Sequence, residues 1–543
     1  MAALRVATFR RLWIASLFFN VGHLIQMVAS SWMMLELTGS PLWVSLMVGA
    51  PLLPLLVLSL PAGAAADLFD RRRIIIVSSA IVASASVGMA LLWAADAVTP
   101  PRLLGLGLLL GVGVAFFNPS WQAIVPRLVP MGLVPGAVAL NSASAGVAFA
   151  VGPALGGVLV ASLGAGWSLA IAAAGYTAIL ISVAITPTGA WRQETGSLTT
   201  AMMTGLRYLR FSVGYRWLLL LGALFGFTSS AVRALLPNIT SDVLAGGSEL
   251  YGTLLGAFGA GALVGGLTRG HGGEALARHL VPAAVMLYGV AGAVLAWSTS
   301  VALSLAMIFA VGVAWTWVLS TLNSTFQVLS PDWVRGRAMS AFVLSVFGIM
   351  PIGNIASGGL GDVTSAPVSL FVFSLAVVVL GVVSLRMPTP VLEHLEPPEV
   401  PEIEDGDEVA PTVAPTPVVV ITTWTLEEEE FTPFVEVLAE LRRVRLSTGA
   451  YYWRVFRSAY DFRRVSEVFM VHSWEQHLQQ HRRLDRRGRQ VIDRAERFGG
   501  GGEVITDHLI GFDVADPERR PAWHQLLLEH EQMHKGRRSH LRG

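Results

Sequence analysis

Nine polar side chains stand inside long apolar stretches of this 543-residue sequence, and their types suit ligand binding better than bond making. Asn20, His23 and Gln26 recur at three-residue intervals, drifting slowly round one helical face. Asn118 with Gln122, and Asn323 with Gln327, are pairs one helical turn apart, while Arg233 and Asn354 stand alone. A polar group in a long apolar segment is costly and so a functional candidate. These nine are expected to line a central substrate cavity, with interhelical hydrogen bonding as the alternative for each. His23, a residue type that can accept a proton near neutral pH, is the expected proton-coupling residue. Arg233 favours an anionic or hydroxyl-rich substrate, because a guanidinium binds planar acceptors.

Two further groups have mechanical rather than chemical spacing. Gly63, Asp67 and the run Arg71-Arg72-Arg73 put a carboxylate and three cations around one tight turn. That set suits a conformational latch: Asp67 at the positive end of another helix, the arginines pairing in one state only. Arg335 and Arg337 mark the nominated partner segment, and the alternative is a plain topology anchor. Gly152-Pro153 and Gly156-Gly157 combine a proline that frees a carbonyl with glycines that let backbones approach closely, a bend packed against a neighbour.

The elements that position these residues follow from composition. The chain is 53% hydrophobic and 14% charged, with no cysteine. Its charge is uneven: residues 1–390 hold 28 charged side chains and residues 391–543 hold 47. A membrane body is thus joined to an aqueous tail. About 20 apolar residues cross a bilayer, and twelve such runs occur, near 12–37, 42–66, 74–95, 103–126, 137–163, 166–186, 216–241, 250–269, 279–298, 300–328, 336–361 and 366–387. The first is read as a span, not a cleaved signal peptide. With the N-terminus inside, nearly every arginine of the body falls on the cytoplasmic side and Arg102 is the one in an outer loop, so both termini are expected in the cytoplasm of a multi-pass inner-membrane protein. Asn118-Pro-Ser-Trp-Gln122 and Asn323-Ser-Thr-Phe-Gln327 lie 205 positions apart, each followed by a glycine pair, Gly156-Gly157 and Gly358-Gly359. The fold class is therefore an all-α body of two six-helix halves, 1–186 and 216–387, around a cytoplasmic central loop 187–215.

Residues 388–417, rich in proline and acid, form a disordered linker. Beyond it, strands at 418–424, 449–460, 465–473 and 503–510 and helices at 431–446 and 474–498 give β-α-β-β-α-β, a small α+β ferredoxin-like domain over 418–543. His477 and His481 have the spacing of a metal pair, but no glutamate lies between them and Arg482 and Arg483 follow, so no metal is expected. Without cysteine there is no disulfide, thiolate-ligated metal or thiol nucleophile. No clustered basic face points to nucleic acid, and no phosphate-binding glycine loop points to direct ATP use.

The stretch Gly63 to Arg73 resembles the loop 2–3 signature of the major facilitator superfamily, matching at Gly63, Asp67, Arg71 and Arg72 and departing at Leu68 and Asp70. Gly152-Pro153-Ala-Leu-Gly156-Gly157 resembles the exporter motif, with Ala148 in place of its first glycine. The tail, with Trp453, Glu467, Phe469, Ser473, Trp474, Glu475, His477 and His481, resembles the antibiotic-biosynthesis-monooxygenase-like domain found on some transporters of the transmembrane secretion effector group, which includes siderophore-exporter relatives. The resemblance implies a cofactor-free secondary transporter, not an enzyme, exporting small organic molecules such as siderophores, drugs or secondary metabolites by alternating access with protons as the coupling ion. The tail would serve to regulate or dimerise. The alternative is a transporter-like sensor or scaffold whose tail binds a ligand or partner.

Overall fold

The computed structural model describes residues 2–186, 213–269, 274–330, 339, 341–386, 417–482, 484, 486–498 and 504–511. Arg335, Arg337, most of the central loop and nearly all of the linker lie outside the described residues, as do the side chains of Asp67 and Glu475. The chain divides into two compact units, the body and a C-terminal unit.

Among the described residues, twelve helices of the body are long and apolar enough to cross a membrane. Spans 1 to 6 are Ala7–Thr38, Pro41–Ser59, Arg71–Ala94, Pro100–Leu128, Met131–Leu163 and Ala165–Ala184. Spans 7 to 12 are Arg216–Val243, Ser248–Thr268, His279–Trp297, Val301–Gln327, Ala341–Val363 and Ala366–Ser384. Their ends carry ordinary punctuation. Gly39 closes span 1 at φ 62°, and Ser40 caps the next helix by accepting the Trp43 N–H while Pro41 occupies its first turn. Span 2 is not continuous: it breaks at residues 50–52, between helices Pro41–Gly49 and Leu53–Leu68, where Pro51 and Pro54 lack the N–H groups a continuous helix would use. Spans 7 and 11 each contain a π-helical turn, Ile239–Val243 and Leu344–Gly348. One end of the bundle holds the tight turns near residues 39, 95, 164, 245, 299 and 364, hereafter the turn end. The opposite end holds Asp70 and Arg71 and is called the arginine end.

Packing repeats between the halves. Span 1 packs on spans 5 and 6, and span 3 on spans 4 and 6. In the second half the backbone of span 11 meets span 7 at Gly226 and Gly353, and that of span 12 meets span 9 at Gly289. An aromatic column, Phe19 on Phe117 at 4.1 Å and Phe117 on Trp121 at 5.8 Å, fills the first half. Phe225, Tyr288 and Trp315 do so in the second, with centroids 5.4 to 6.3 Å apart. The halves meet along two seams, span 2 against span 11 and span 5 against span 8. Exchanging the halves turns one seam into the other.

The C-terminal unit has a four-stranded antiparallel sheet in the order β2-β3-β1-β4, with β1 Val418–Thr425, β2 Tyr452–Arg457, β3 Arg464–Val471 and β4 Ile505–Ile510. A helix, Phe431–Thr448, links β1 to β2, and two short helices, Trp474–Arg482 and Arg486–Glu496, link β3 to β4 where one long helix is expected from the sequence. Alternation along β1 buries Trp424 with Phe434, Leu438 and Leu441, and Val418 and Val420 with Leu446, Ala450, Phe469 and Val471.

Candidate functional site

The guanidinium of Arg233, half way along span 7, reaches across to span 1, where Nη2 lies 3.7 Å from the Met27 sulfur. Among the described residues no carboxylate pairs with it. The contact joins span 1 of the first half to span 7 of the second, inside the body. His23, Tyr251 and Tyr288 all lie within Coulombic reach of this cation. His23 Nδ1 is 3.4 Å from the Tyr176 hydroxyl, Tyr251 hydrogen-bonds Ser31, and Tyr288 donates to the Ser229 carbonyl at 2.7 Å. The result is a cation without a carboxylate partner among the described residues, an imidazole ring and phenol groups from both halves, gathered where spans 1 and 7 meet.

The other seven polar residues go to several places. Asn20 faces Ser144 of span 5 at 3.5 Å. Gln26 is buried inside the first half, donating to the Met89 sulfur and accepting from Ser86, which also donates to the Leu169 carbonyl. Steps of three residues rotate by about 300°, so Asn20, His23 and Gln26 point to three different helices, spans 5, 6 and 3. Asn354 is buried in the seam of spans 2 and 11, and its Oδ1 has no partner among the described residues. Asn118 and Gln122 are exposed on one face of span 4. Gln327 donates to Asn323 at 2.5 Å, and Asn323 lines a cavity of about 400 Å³ with Arg269, Trp315, Ser320, Phe342 and Phe347. Trp315 connects that cavity to the ring cluster containing Tyr288.

Glycines bring the seams together near the turn end. A β-carbon on Gly157 would lie 2.5 Å from the Ser248 carbonyl oxygen and 2.7 Å from Gly252 Cα of span 8. One on Gly358 would lie 2.6 Å from the β-carbon of Ser45 of span 2. Gly152 and Gly156 instead face Leu24, Ile25 and Val28 of span 1, and the Pro153 carbonyl faces Gly252. Span 5 stays helical from Val134 to Leu163 around Pro153.

Asp362, at the turn end of span 11, bonds across the seam, and the spacing of polar groups inside spans did not single it out. Its carboxylate accepts from Ser40 Oγ at 2.8 and 3.0 Å and from the Leu42 N–H at 3.1 Å, capping the first turn of span 2 across the seam. The Asn238 amide donates to the Gly39 carbonyl at 3.3 Å, and Trp32 stacks on Tyr251 at 6.0 Å. The only sequence signal for Asp362 is a lone carboxylate facing an N-cap serine 322 residues away, which no local pattern connects.

At the arginine end, the basic run serves its own half. Arg71 donates to the Ala123 carbonyl of span 4 at 3.2 Å, and Arg72 to the Val183 and Ala184 carbonyls that end span 6. Asp70 caps span 3 through the Arg72 N–H, with exposed Arg73 3.9 Å from its carboxylate. Open space surrounds Gly63.

In the C-terminal unit, Glu467 is fully buried and held by Arg445 Nε and Nη2, both at 3.2 Å, and by Trp453 Nε1 at 2.7 Å. His477 is buried beside His481, with Nε2 atoms 3.2 Å apart, and beside His508. Burial, reinforced by His481, His508 and Arg445, pushes His477 down to about 3, so the ring is neutral.

A family model described as transmembrane secretion effector matches residues 1–514. The multidrug efflux pump Tap of Mycolicibacterium fortuitum is 28% identical over 394 residues, covering 69% of this chain and 94% of the pump. The enterobactin exporter EntS of Citrobacter koseri is 27% identical over 399 residues, covering 70% of this chain and 89% of the exporter. Among solved structures, an inward-facing bacterial homologue of the iron transporter ferroportin superposes with a TM-score of 0.58 at 16% identity, over 70% of this chain and 98% of its own.

Proposed function

Because the chain belongs to the transmembrane secretion effector family of major-facilitator-type transporters, we propose that it exports small organic molecules by alternating access, driven by proton antiport. The relatives named as a multidrug efflux pump and an enterobactin exporter support export. The observation that carries the mechanism is the Arg233 guanidinium of the second half, without a carboxylate partner among the described residues, touching Met27 of the first. A charge on the axis of two rocking halves stays within reach of a ligand from either side, as a carrier needs. Its free donors suit an anionic or hydroxyl-rich molecule.

With the arginine end in the cytoplasm, this conformation is closed outside by Asp362 and the glycine seams. Substrate then enters past Asn118, Gln122 and the cavity at Asn323. A proton on His23 and a substrate hydroxyl bonded to the same ring exclude one another, which is the exchange that antiport requires. Gly63, Asp67, Arg71, Arg72 and Arg73, with Arg335 and Arg337, form the latch at the arginine end; Gly152, Pro153, Gly156 and Gly157 form the sliding surface of span 5. Asn20, Gln26, Asn354 and Gln327 complete the polar lining and its supports.

Inverted membrane vesicles with and without an imposed proton gradient test the reading, using a panel of anionic and neutral efflux dyes. Gradient-driven uptake into the vesicles is expected, abolished by Arg233→Ala and uncoupled from the gradient by His23→Gln. Normal transport by Arg233→Ala removes the axial site, and unchanged coupling in His23→Gln removes the proton role. No flux for any dye favours a sensor or scaffold.

The C-terminal unit reads as a ferredoxin-like, monooxygenase-resembling module that pairs through its open sheet face. Val419, Ile421, Val468 and Met470 share that face with Tyr452 and Phe456, both exposed. A sheet with one apolar face uncovered is ordinarily closed by a partner. Sedimentation of residues 417–511 as a monomer overturns the pairing.

A further inference from the structure

Spans 1 and 6 leave a groove of about 590 Å³ at the arginine end, lined by Arg10, Arg11, Ile14, Phe18, Ala178 and Ser182 among others. The groove faces away from the transport axis. Phe18 and Met27 are nine residues apart on one helix, a rotation of about 900°, which places them on opposite sides of span 1. Met27 faces Arg233, so Phe18 faces outward. Ile14 and Phe18 are 42% and 57% exposed, giving the groove an apolar floor that the bilayer covers.

Its mouth is cationic. Arg10 has one long hydrogen bond, to the Leu4 carbonyl at 3.5 Å, and Arg11 donates one N–H to Thr186 at 2.5 Å. Each guanidinium carries five N–H donors, and among the described residues no carboxylate pairs with either. From Arg11 to Phe18 the helix rises about 10 Å, the length of the first half of an acyl chain. A head with two cations and a tail with an apolar floor match one molecule of the adjoining leaflet.

We propose that this groove binds a single anionic phospholipid, with its phosphate on Arg10 and Arg11 and one acyl chain along Ile14 and Phe18. The site is independent of the axial one. It makes the seating of span 1, which carries His23 and Met27, depend on the lipid composition of that leaflet.

Native mass spectrometry of the full chain in detergent, titrated with dioleoyl phosphatidylglycerol, tests it. Dioleoyl phosphatidylcholine supplies the same chains without net charge, and glycerol 3-phosphate supplies the headgroup without chains. The expected result is one phosphatidylglycerol adduct favoured over phosphatidylcholine by about thirtyfold, from two basic contacts, with glycerol 3-phosphate neither binding nor competing. Arg10→Gln with Arg11→Gln should abolish the preference. Ala178→Trp, which fills the groove and leaves the charges in place, should remove the adduct. Equal adducts in the parent and in Ala178→Trp, or glycerol 3-phosphate binding as tightly as the lipid, overturns the proposal.

Discussion

Substituting Gly157 by alanine should open the turn end. The added methyl would sit 2.5 Å from the Ser248 carbonyl oxygen and 2.7 Å from Gly252 Cα. Both are backbone atoms and cannot rotate away. Ordinary carbon contacts begin near 3.5 Å, so spans 5 and 8 must part by roughly 1 Å or strain in place. Overpacking of this kind costs about 1–3 kcal/mol. If the seam exists only while the turn end is closed, that cost falls on one state alone, and the population shifts by about 5- to 150-fold toward the other. The sequence holds no cysteine, so spin labels attach only where cysteine is introduced. Leu37 and Val363, 43% and 83% exposed, report the turn end across the halves. Phe69 and Leu267, 63% and 76% exposed, report the arginine end. In Gly157→Ala the first distance should lengthen and the second shorten. Gly105→Ala, a site with open space around it, should change neither. Unchanged distributions at both ends in a folded Gly157→Ala protein would refute the seam as the element that distinguishes the two states.

Asp362→Ala removes the acceptor of the Ser40 hydroxyl and the Leu42 N–H and the anion at the start of span 2, so it should lengthen the Leu37–Val363 distance by a shift of about 1–2 kcal/mol, while Asp362→Asn, which keeps one acceptor oxygen, restores part of it. Gln26→Leu should lower the melting temperature through loss of about 1 kcal/mol of buried hydrogen bonding and leave the substrate profile in vesicles unchanged; an altered profile would put Gln26 in the cavity. For His477 the sign follows from a folded-state value of about 3 against an ordinary 6.5: the ring is neutral in both states above pH 6.5, and below it only the unfolded chain gains the proton. Stability of the C-terminal unit should therefore fall by about 1.4 kcal/mol per pH unit from 6.5 down towards 3, and His477→Gln should flatten that slope in hydrogen exchange of the β1 amides.

The twelve spans were legible because each is a local property, an apolar run bounded by charge, proline or glycine. The break in span 2 was not, since the run from residue 42 to 66 is apolar throughout and Pro51 and Pro54 interrupt its hydrogen bonding without interrupting its hydropathy. Glycine pairs 156–157 and 358–359 were legible as a repeat, but their roles were not. Gly157 and Gly358 meet the opposite half, Gly156 meets its own, and Gly359 meets nothing within 4 Å. Only tertiary structure separates such neighbours. The same holds for polar residues inside spans. Type and depth mark Arg233 and Gln26 alike, yet Gln26 has two partners in its own half, while among the described residues the Arg233 guanidinium bonds a thioether across the boundary.

That asymmetry bears on how the body can carry a ligand. The seams of spans 2 with 11 and 5 with 8 exchange when the halves exchange, so a rocking motion about the axis must part both at once. Strain introduced at either seam is therefore felt at both. The axis itself is not symmetric in chemistry: the second half supplies a guanidinium where the first supplies a methionine sulfur, a soft and adaptable group that yields to different ligand shapes. A ligand placed there is oriented by one half and merely accommodated by the other. Its polar contacts can then stay with span 7 through the whole motion while span 1, carrying His23, moves against it. In the proposed mechanism, charge on one side and compliance on the other would let a single site face both ends without being rebuilt.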